Sequence, residues 1–219
     1  MSRRKLQKFS ENIARANLIQ PGKELFTKVK GNWNTLFFKN NNPIVLELGC
    51  GRGEYTVGMA LSDPESNFIG VDIKGDRIWK GSKTADHEKL ANVGFLRTQI
   101  QSLDDYFESD EVDEIWLTFP DPRPKKSDAK RRFTHPRFME IYRRLLKPGG
   151  RVHLKTDNEG LYQYSIEIAD SLKGIDHLQY TENLYRSELV NPVLEIKTHY
   201  ENLFSDQGFT IKYLTFVFE

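Results

Sequence analysis

Ile44-Val45-Leu46-Glu47-Leu48-Gly49-Cys50-Gly51-Arg52-Gly53 joins an apolar run to a knot of glycines. The pattern reads as a buried strand that turns sharply into a helix. Glycines admit positive φ and let the backbone approach a ligand closely, and the helix that follows would aim its N-terminus at that ligand. A tight strand–helix turn without a ligand would use the same glycines. Four further apolar runs also end in a polar or acidic side chain: Phe68–Val71 into Asp72, Val93–Leu96 into Gln99, Ile115–Phe119 into Asp121, and Val152–Leu154 into Asp157. In a wound α/β sheet, ligands bind outside the carboxyl ends of the strands, where strand order reverses. A polar row along that edge describes a binding crevice as well as a fold.

Working outward, Asn40-Asn41-Asn42-Pro43 reads as the turn that opens the first strand. Helical stretches are predicted at Glu54–Leu61, at Asp76–Leu90 with Ile78, Trp79 and Leu90 facing the core, at His135–Leu146, and at Asn158–Leu172 capped by Asp157 or Asn158. Lys147-Pro148-Gly149-Gly150 reads as the stop signal of the third of these. Strand–helix alternation implies a mostly parallel sheet with helices on both faces. The rhythm then changes to two late strand-like runs, His177–Tyr185 and Thr210–Phe218, around a helical Pro192–Phe204. Residues 1–35, punctuated by Pro21-Gly22 and Gly31-Asn32, read as a basic N-terminal appendage to a single domain over 36–219.

With 219 residues, 38% hydrophobic and 29% charged, the chain suits one globular domain. One cysteine, Cys50, rules out an internal disulfide framework and fits a reducing compartment, so the cytoplasm is expected. The five histidines and the cysteine lack zinc-type spacing, and no metal is expected. No apolar run approaches a membrane span, and Met1-Ser2-Arg3-Arg4-Lys5 lacks the apolar segment of a signal peptide. The net charge of +1 hides an asymmetry: residues 1–15 carry +4 and residues 123–137 carry +6, which leaves −9 elsewhere. Two basic patches on an acidic body suit a polyanionic partner, and equally a solvated loop and a basic terminus. The sequence leaves monomer and homodimer open.

Glu47, just before the first glycine, can accept from an ammonium group, where a dinucleotide's pyrophosphate would be repelled. Asp72, 25 residues on, can accept both hydroxyls of an adenosine ribose, and Gln99 can meet the adenine edge or sit on a surface loop. A cationic amino acid attached to adenosine describes S-adenosylmethionine, with Gly49 and Gly51 giving it room. Cys50 reads as a small turn residue, not a nucleophile.

Thr118-Phe119-Pro120-Asp121-Pro122-Arg123-Pro124-Lys125-Lys126 is the most specific stretch, with no role read for Thr118 itself. Its prolines fix φ and hold Asp121 stiffly at a strand end, and the loop opens into the run Ser127 to Arg132. Lys155-Thr156-Asp157-Asn158 sets a second carboxylate at the adjacent strand end, as a helix cap or a ligand. Thr198-His199-Tyr200-Glu201 reads from sequence as a polar helix face. Together with Glu47–Gly53 and Lys130-Arg131-Arg132-Phe133, these motifs resemble the bacterial tRNA (guanine-N7)-methyltransferases, from about Gly31-Asn32-Trp33-Asn34-Thr35 to the end.

The resemblance implies a seven-stranded class I (Rossmann-like) fold, S-adenosylmethionine as donor, tRNA as partner and guanosine-46 of its variable loop as acceptor. It implies a cofactor site of Glu47, Asp72, Gln99 and Asp121, beside the loop glycines Gly49 and Gly51; because methylation at N7 leaves the base cationic, Asp121 is the expected catalytic carboxylate. Lys125, Asp157, Thr198, Tyr200 and Glu201 would contact substrate, and Ser127, Lys130, Arg131 and Arg132 would contact RNA. The chain departs from the family pattern in Arg123, where tryptophan is usual, and in Ser127-Asp128-Ala129. One rival is a methyltransferase for a small molecule or protein, which predicts no salt-dependent tRNA binding. The other is a non-catalytic dinucleotide- or RNA-binding module, which predicts no S-adenosylmethionine binding.

Overall fold

Ile44–Leu48 forms the central strand, β2, of an eight-stranded sheet in the computed structural model of the chain, which describes residues 3–205 and 207–219. Met1, Ser2 and Asp206 lie outside the described residues, as do the side chains of Arg3 and Arg4 within the basic N-terminal stretch. All five β2 residues are buried; four are apolar, as a strand covered on both faces requires, and the fifth is Glu47. β3 (Asn67–Val71) and β4 (Val93–Leu96) step away on one side, and β5 (Val112–Thr118) and β6 (Leu146–Thr156) on the other, all parallel. β7 (Ile175–Thr181) and β8 (Lys212–Phe218) close the sheet antiparallel, with β8 inserted between β6 and β7.

With Leu18–Ile19 as β1, the strand order β1-β4-β3-β2-β5-β6-β8-β7 reverses between β2 and β5, which puts a crevice above their carboxyl ends. Omitting β1, this is the seven-stranded class I methyltransferase sheet. The eighth strand, β1 (Leu18–Ile19), comes from the segment read as an appendage, with Leu18 opposite Phe95 and Ile19 opposite Leu96. Val29 and Trp33, from the same stretch, are 1% and 0% exposed within the main core. A two-residue strand carries no alternation to read, which is why the pattern of the sequence did not reveal it.

Alternation along the strands separates two cores. Leu46 and Leu48 face a layer with α4 (Pro136–Leu145) and α5 (Glu159–Ser171), while Val45 and Trp116 face one with α2 (Glu54–Ser62) and α3 (Gly75–His87). α4 stops a residue early, because Leu146–Gly150 is drawn into the start of β6. The predicted core residue Trp79 is instead half-buried under α1 (Arg3–Ala14), donating from its indole to Glu11 at 2.6 Å with Lys8 above its ring at 4.8 Å. Asn12 and Arg15 fasten α1 to α3 through the Gly75 carbonyl at 2.9 Å and Asp86 at 2.5 Å. No helix among the described residues is long and apolar enough to cross a membrane.

Candidate functional site

Gly49, Gly51 and Gly53 take φ of 76°, 55° and 69°, the left-handed region that side chains disfavour. The Gly49 and Cys50 amides both donate to the Val71 carbonyl, at 2.8 and 3.0 Å, and fold the loop back over β3. A Cβ on Gly49 would stand 2.8 Å from the Phe133 ring. Asp72 accepts from the Gly51 amide at 3.0 Å and the Lys74 amide at 2.8 Å. These amides fix the carboxylate and leave further lone pairs for hydroxyls.

Glu47 is 2% exposed and accepts hydrogen bonds from the hydroxyls of Thr56 and Thr118. Burial pushes its pKa up to about 7, opposed by those two hydroxyls and assisted by the Asp72 charge. A carboxylate lodged there is a strong attractor for a cation, which would restore its ordinary acidity. Cys50 is buried, and burial with the nearby Glu47 and Asp72 charges holds its thiol well above the usual range, so it offers no thiolate.

Two cavities meet at Gly49. One, of about 570 Å³, is lined by Asp72, Gln99, Phe133 and the cations Lys130, Arg131 and Arg137. The other, of about 400 Å³, holds Glu47, Thr118, Phe119, Arg52, Thr198 and Tyr200. An adenosine fits the chemistry of the first, with its carboxylate and amide, and an aminoacyl cation that of the second, with its buried carboxylate. Gln99 is exposed and accepts from the Gln101 amide at 2.5 Å.

Asp121 stands exposed beyond β5, with Arg123 ion-paired to it at 3.1 Å and the Arg123 amide donating to it at 3.2 Å. Phe119 and Arg123, each just before a proline, hold φ of 48° and 46°. Such conformations persist only where surrounding structure imposes them, and they cluster at functional sites. Arg132 supplies part of that constraint: its guanidinium donates to the Arg123 carbonyl at 3.2 and 3.1 Å and lies 4.4 Å from the Tyr164 ring. It braces the loop from within. Lys125, Ser127, Lys130 and Arg131 are exposed on or beside the short 3-10 turn Lys126–Arg131.

Of the two capping residues proposed for α5, Asn158 does the capping, accepting from the Leu161 amide at 2.8 Å. Asp157 is left facing the Tyr200 hydroxyl at 3.5 Å. Thr198 and Tyr200 line the smaller cavity, but Glu201 is 0% exposed and turned inward. The predicted helix over 192–204 is confined to α6 (His199–Ser205), with turns before it.

Sequence reasoning missed Thr56 and Thr118, the partners of Glu47, as well as Arg52 and Phe119. Thr118 had a signal, its place directly before Phe119-Pro120-Asp121. Thr56 had none beyond its helix. Among the described residues, no group of His, Cys, Asp and Glu is gathered to hold a metal ion.

Comparison with known proteins bears on the fold and the family. Residues 41–214 match a family model described as "Putative methyltransferase". Among solved structures, the 16S rRNA methyltransferase KamB superposes with a TM-score of 0.61 at 15% identity, over 84% of this chain and 92% of that one. TrmN from Thermus thermophilus superposes at 0.56 and 19% identity, over 86% and 48%; at such identities these likenesses speak for the class I methyltransferase fold alone. A tRNA (guanine-N(7)-)-methyltransferase of Cytophaga hutchinsonii is 48% identical over 100% of this chain and 99% of its own. The enzymes of that name from Christiangramia forsetii and Porphyromonas gingivalis are 45% and 50% identical, over 98% and 86% of this chain and 98% and 76% of their own. With that identity sustained along its length, the chain belongs to the tRNA (guanine-N(7)-)-methyltransferase family.

Proposed function

We propose that this protein transfers a methyl group from S-adenosylmethionine to N7 of guanosine-46 in the variable loop of tRNA. The observation that carries the reading is a single cavity in which Asp72 and Gln99 share walls with Ser127, Lys130 and Arg131. One chemistry suits a nucleoside cofactor and the other an RNA backbone, and the two meet beside the Asp121 loop.

In this reading Glu47 receives the cofactor's ammonium, Asp72 its ribose hydroxyls and Gln99 its adenine edge, with Gly49 and Gly51 admitting the chain between them. S-adenosylmethionine supplies an electrophilic methyl on a sulfonium. Guanine N7 offers an in-plane lone pair and carries no proton, so no general base is required and the task is chiefly alignment. The base gains positive charge as N7 is methylated, and a carboxylate beside it is favoured at that moment. Asp121 takes that role, by holding the N1–H and N2–H edge or by offsetting the charge. Its partner Arg123 must yield the carboxylate as the base enters. Asp157 with Tyr200, and Lys125, hold the acceptor nucleotide. Lys130 and Arg131 grip phosphates, which position the substrate without reading sequence.

Labelled methyl transfer into tRNA lacking the modification, followed by nucleoside analysis, tests the reading. 7-methylguanosine that disappears when guanosine-46 is replaced is expected. Methylation at another site or on another atom would overturn it.

A further inference from the structure

The end of β6 carries an ammonium group that the reaction does not use. Lys155 is 0% exposed, and its Nζ donates to the carbonyls of Leu194 at 2.8 Å and Ile196 at 2.9 Å. The third contact of the ammonium is Glu201 Oε2 at 3.0 Å, also 0% exposed. The rings of Tyr55 and Tyr185 stand 5.2 and 5.6 Å from the same nitrogen, and the Tyr185 hydroxyl donates to the other Glu201 oxygen. Burial pushes the Lys155 pKa down, and the Glu201 charge pulls it back up. The ammonium thus gives two hydrogen bonds to the backbone of one irregular segment and keeps Glu201 in ion-pair contact.

A buried pair of this kind is weak evidence for stability, because desolvating both charges offsets their attraction. What it fixes is position. Lys155 ties residues 194–201 to β6, and the segment ends in α6, where Thr198 Oγ accepts from the Glu201 amide at 3.1 Å. In an ordinary capping box, the glutamate three residues after the cap turns back to the cap's own amide. Here that side chain points into the core, toward Lys155. Tyr200 is thereby left outside, its hydroxyl toward Asp157 and its ring 5.5 Å from Phe119. Asp157 is two residues beyond Lys155 on the chain, and the Phe119 amide donates to the Lys155 carbonyl at 2.8 Å. One residue is therefore bonded to Phe119 and to the segment that carries Tyr200, and it stands two positions before Asp157.

We infer that Lys155 is a positioning residue for the acceptor site, and that Glu201 serves as its internal counter-ion and not as a substrate ligand. The inference rests on the methyltransferase reading for its kinetic consequence only. The anchoring itself is read without substrate.

The test begins with Glu201→Gln, which keeps the side chain's shape and removes its charge. Amide hydrogen exchange across residues 193–205 is expected to quicken by about tenfold or more. S-adenosylmethionine affinity should stay within about threefold, and kcat should fall by about 10² with KM for tRNA little changed, since about 1 Å of misplacement costs that much. A tenfold rise in KM for tRNA with unchanged exchange would overturn the inference and make Glu201 a substrate ligand. In Lys155→Met/Glu201→Leu both charges are gone, so Tm should return toward the parent value while exchange stays fast and kcat stays low. Recovery of exchange and kcat together with Tm would make the pair a mere filler of the core. If the unmodified protein does not methylate tRNA, the functional reading fails, while the exchange results still decide the anchoring.

Discussion

Glu47 links cofactor binding to pH in a way that can be measured directly. With its pKa pushed up to about 7 by burial, the free protein holds the proton on most copies at pH 6 and on half at pH 7. An ammonium placed against it selects the carboxylate, so binding must release that proton. The carboxylate fraction rises from about 0.09 to about 0.5 between these values, and affinity should rise about fivefold, or about 1 kcal/mol. The ligand's own α-amino group stays charged below about pH 7.7, so it does not mask the trend. Calorimetry of S-adenosylmethionine binding at pH 6 and pH 7, in buffers of different ionisation enthalpy, reads both the affinity and the proton. At pH 7 about half a proton should be released per site. Glu47→Gln should bind weakly with a flat profile. The sign for folding is opposite. The native state holds this proton more tightly than the unfolded chain, whose glutamate has the ordinary value of 4.5, so the unliganded protein loses stability as pH climbs from there to about 7. A dissociation constant constant within twofold, with no proton released, would refute the assignment of Glu47 as the ammonium's partner.

Asp121→Asn should lower kcat by about 10²–10³ while leaving tRNA affinity within a few-fold, because it removes charge only where charge develops; near-normal turnover would remove Asp121 from the chemistry. Lys130→Ala with Arg131→Ala should raise KM for tRNA and flatten its dependence on the logarithm of salt concentration by about one to two units, and an unchanged slope would place the phosphates elsewhere. Gly49→Ala should unfold at lower temperature and bind the cofactor poorly, since its φ of 76° is strained and its methyl would meet the Phe133 ring at 2.8 Å; thermal denaturation and equilibrium dialysis check both. Trp79→Ala should release α1 from α3, seen as trypsin cleavage in α1 accelerated by about tenfold before any global unfolding, and cleavage at the parent rate would mean the helix is held by its other contacts.

The sequence was most legible where function sits on strand ends. Asp72 and Asp121 each follow an apolar run, Glu47 stands next to the end of another, and the sheet brings those ends together without help from longer-range detail. Contacts between distant segments were beyond its reach. Lys155 belongs to a motif that points to Asp157, and nothing local says that its ammonium would cross to Leu194, Ile196 and Glu201. The final helix is confined to His199–Ser205, and just before it the Leu194 and Ile196 carbonyls accept from Lys155. Trp79 reads as core from its apolar bulk beside Ile78, but neighbours in a helix face different ways, and the face it occupies is covered by α1 and not by the sheet.

β1 sets an order of events during synthesis. Leu18 and Ile19 leave the ribosome well before Phe95 and Leu96, their ladder partners among the described residues. They must wait, without their ladder, until some seventy more residues have been added and β4 has joined β3. Docking of the N-terminal segment is therefore a late step that reports completion of the nucleotide-binding half of the sheet. Once seated, it covers the outer edge of β4, where another chain's strand would otherwise add.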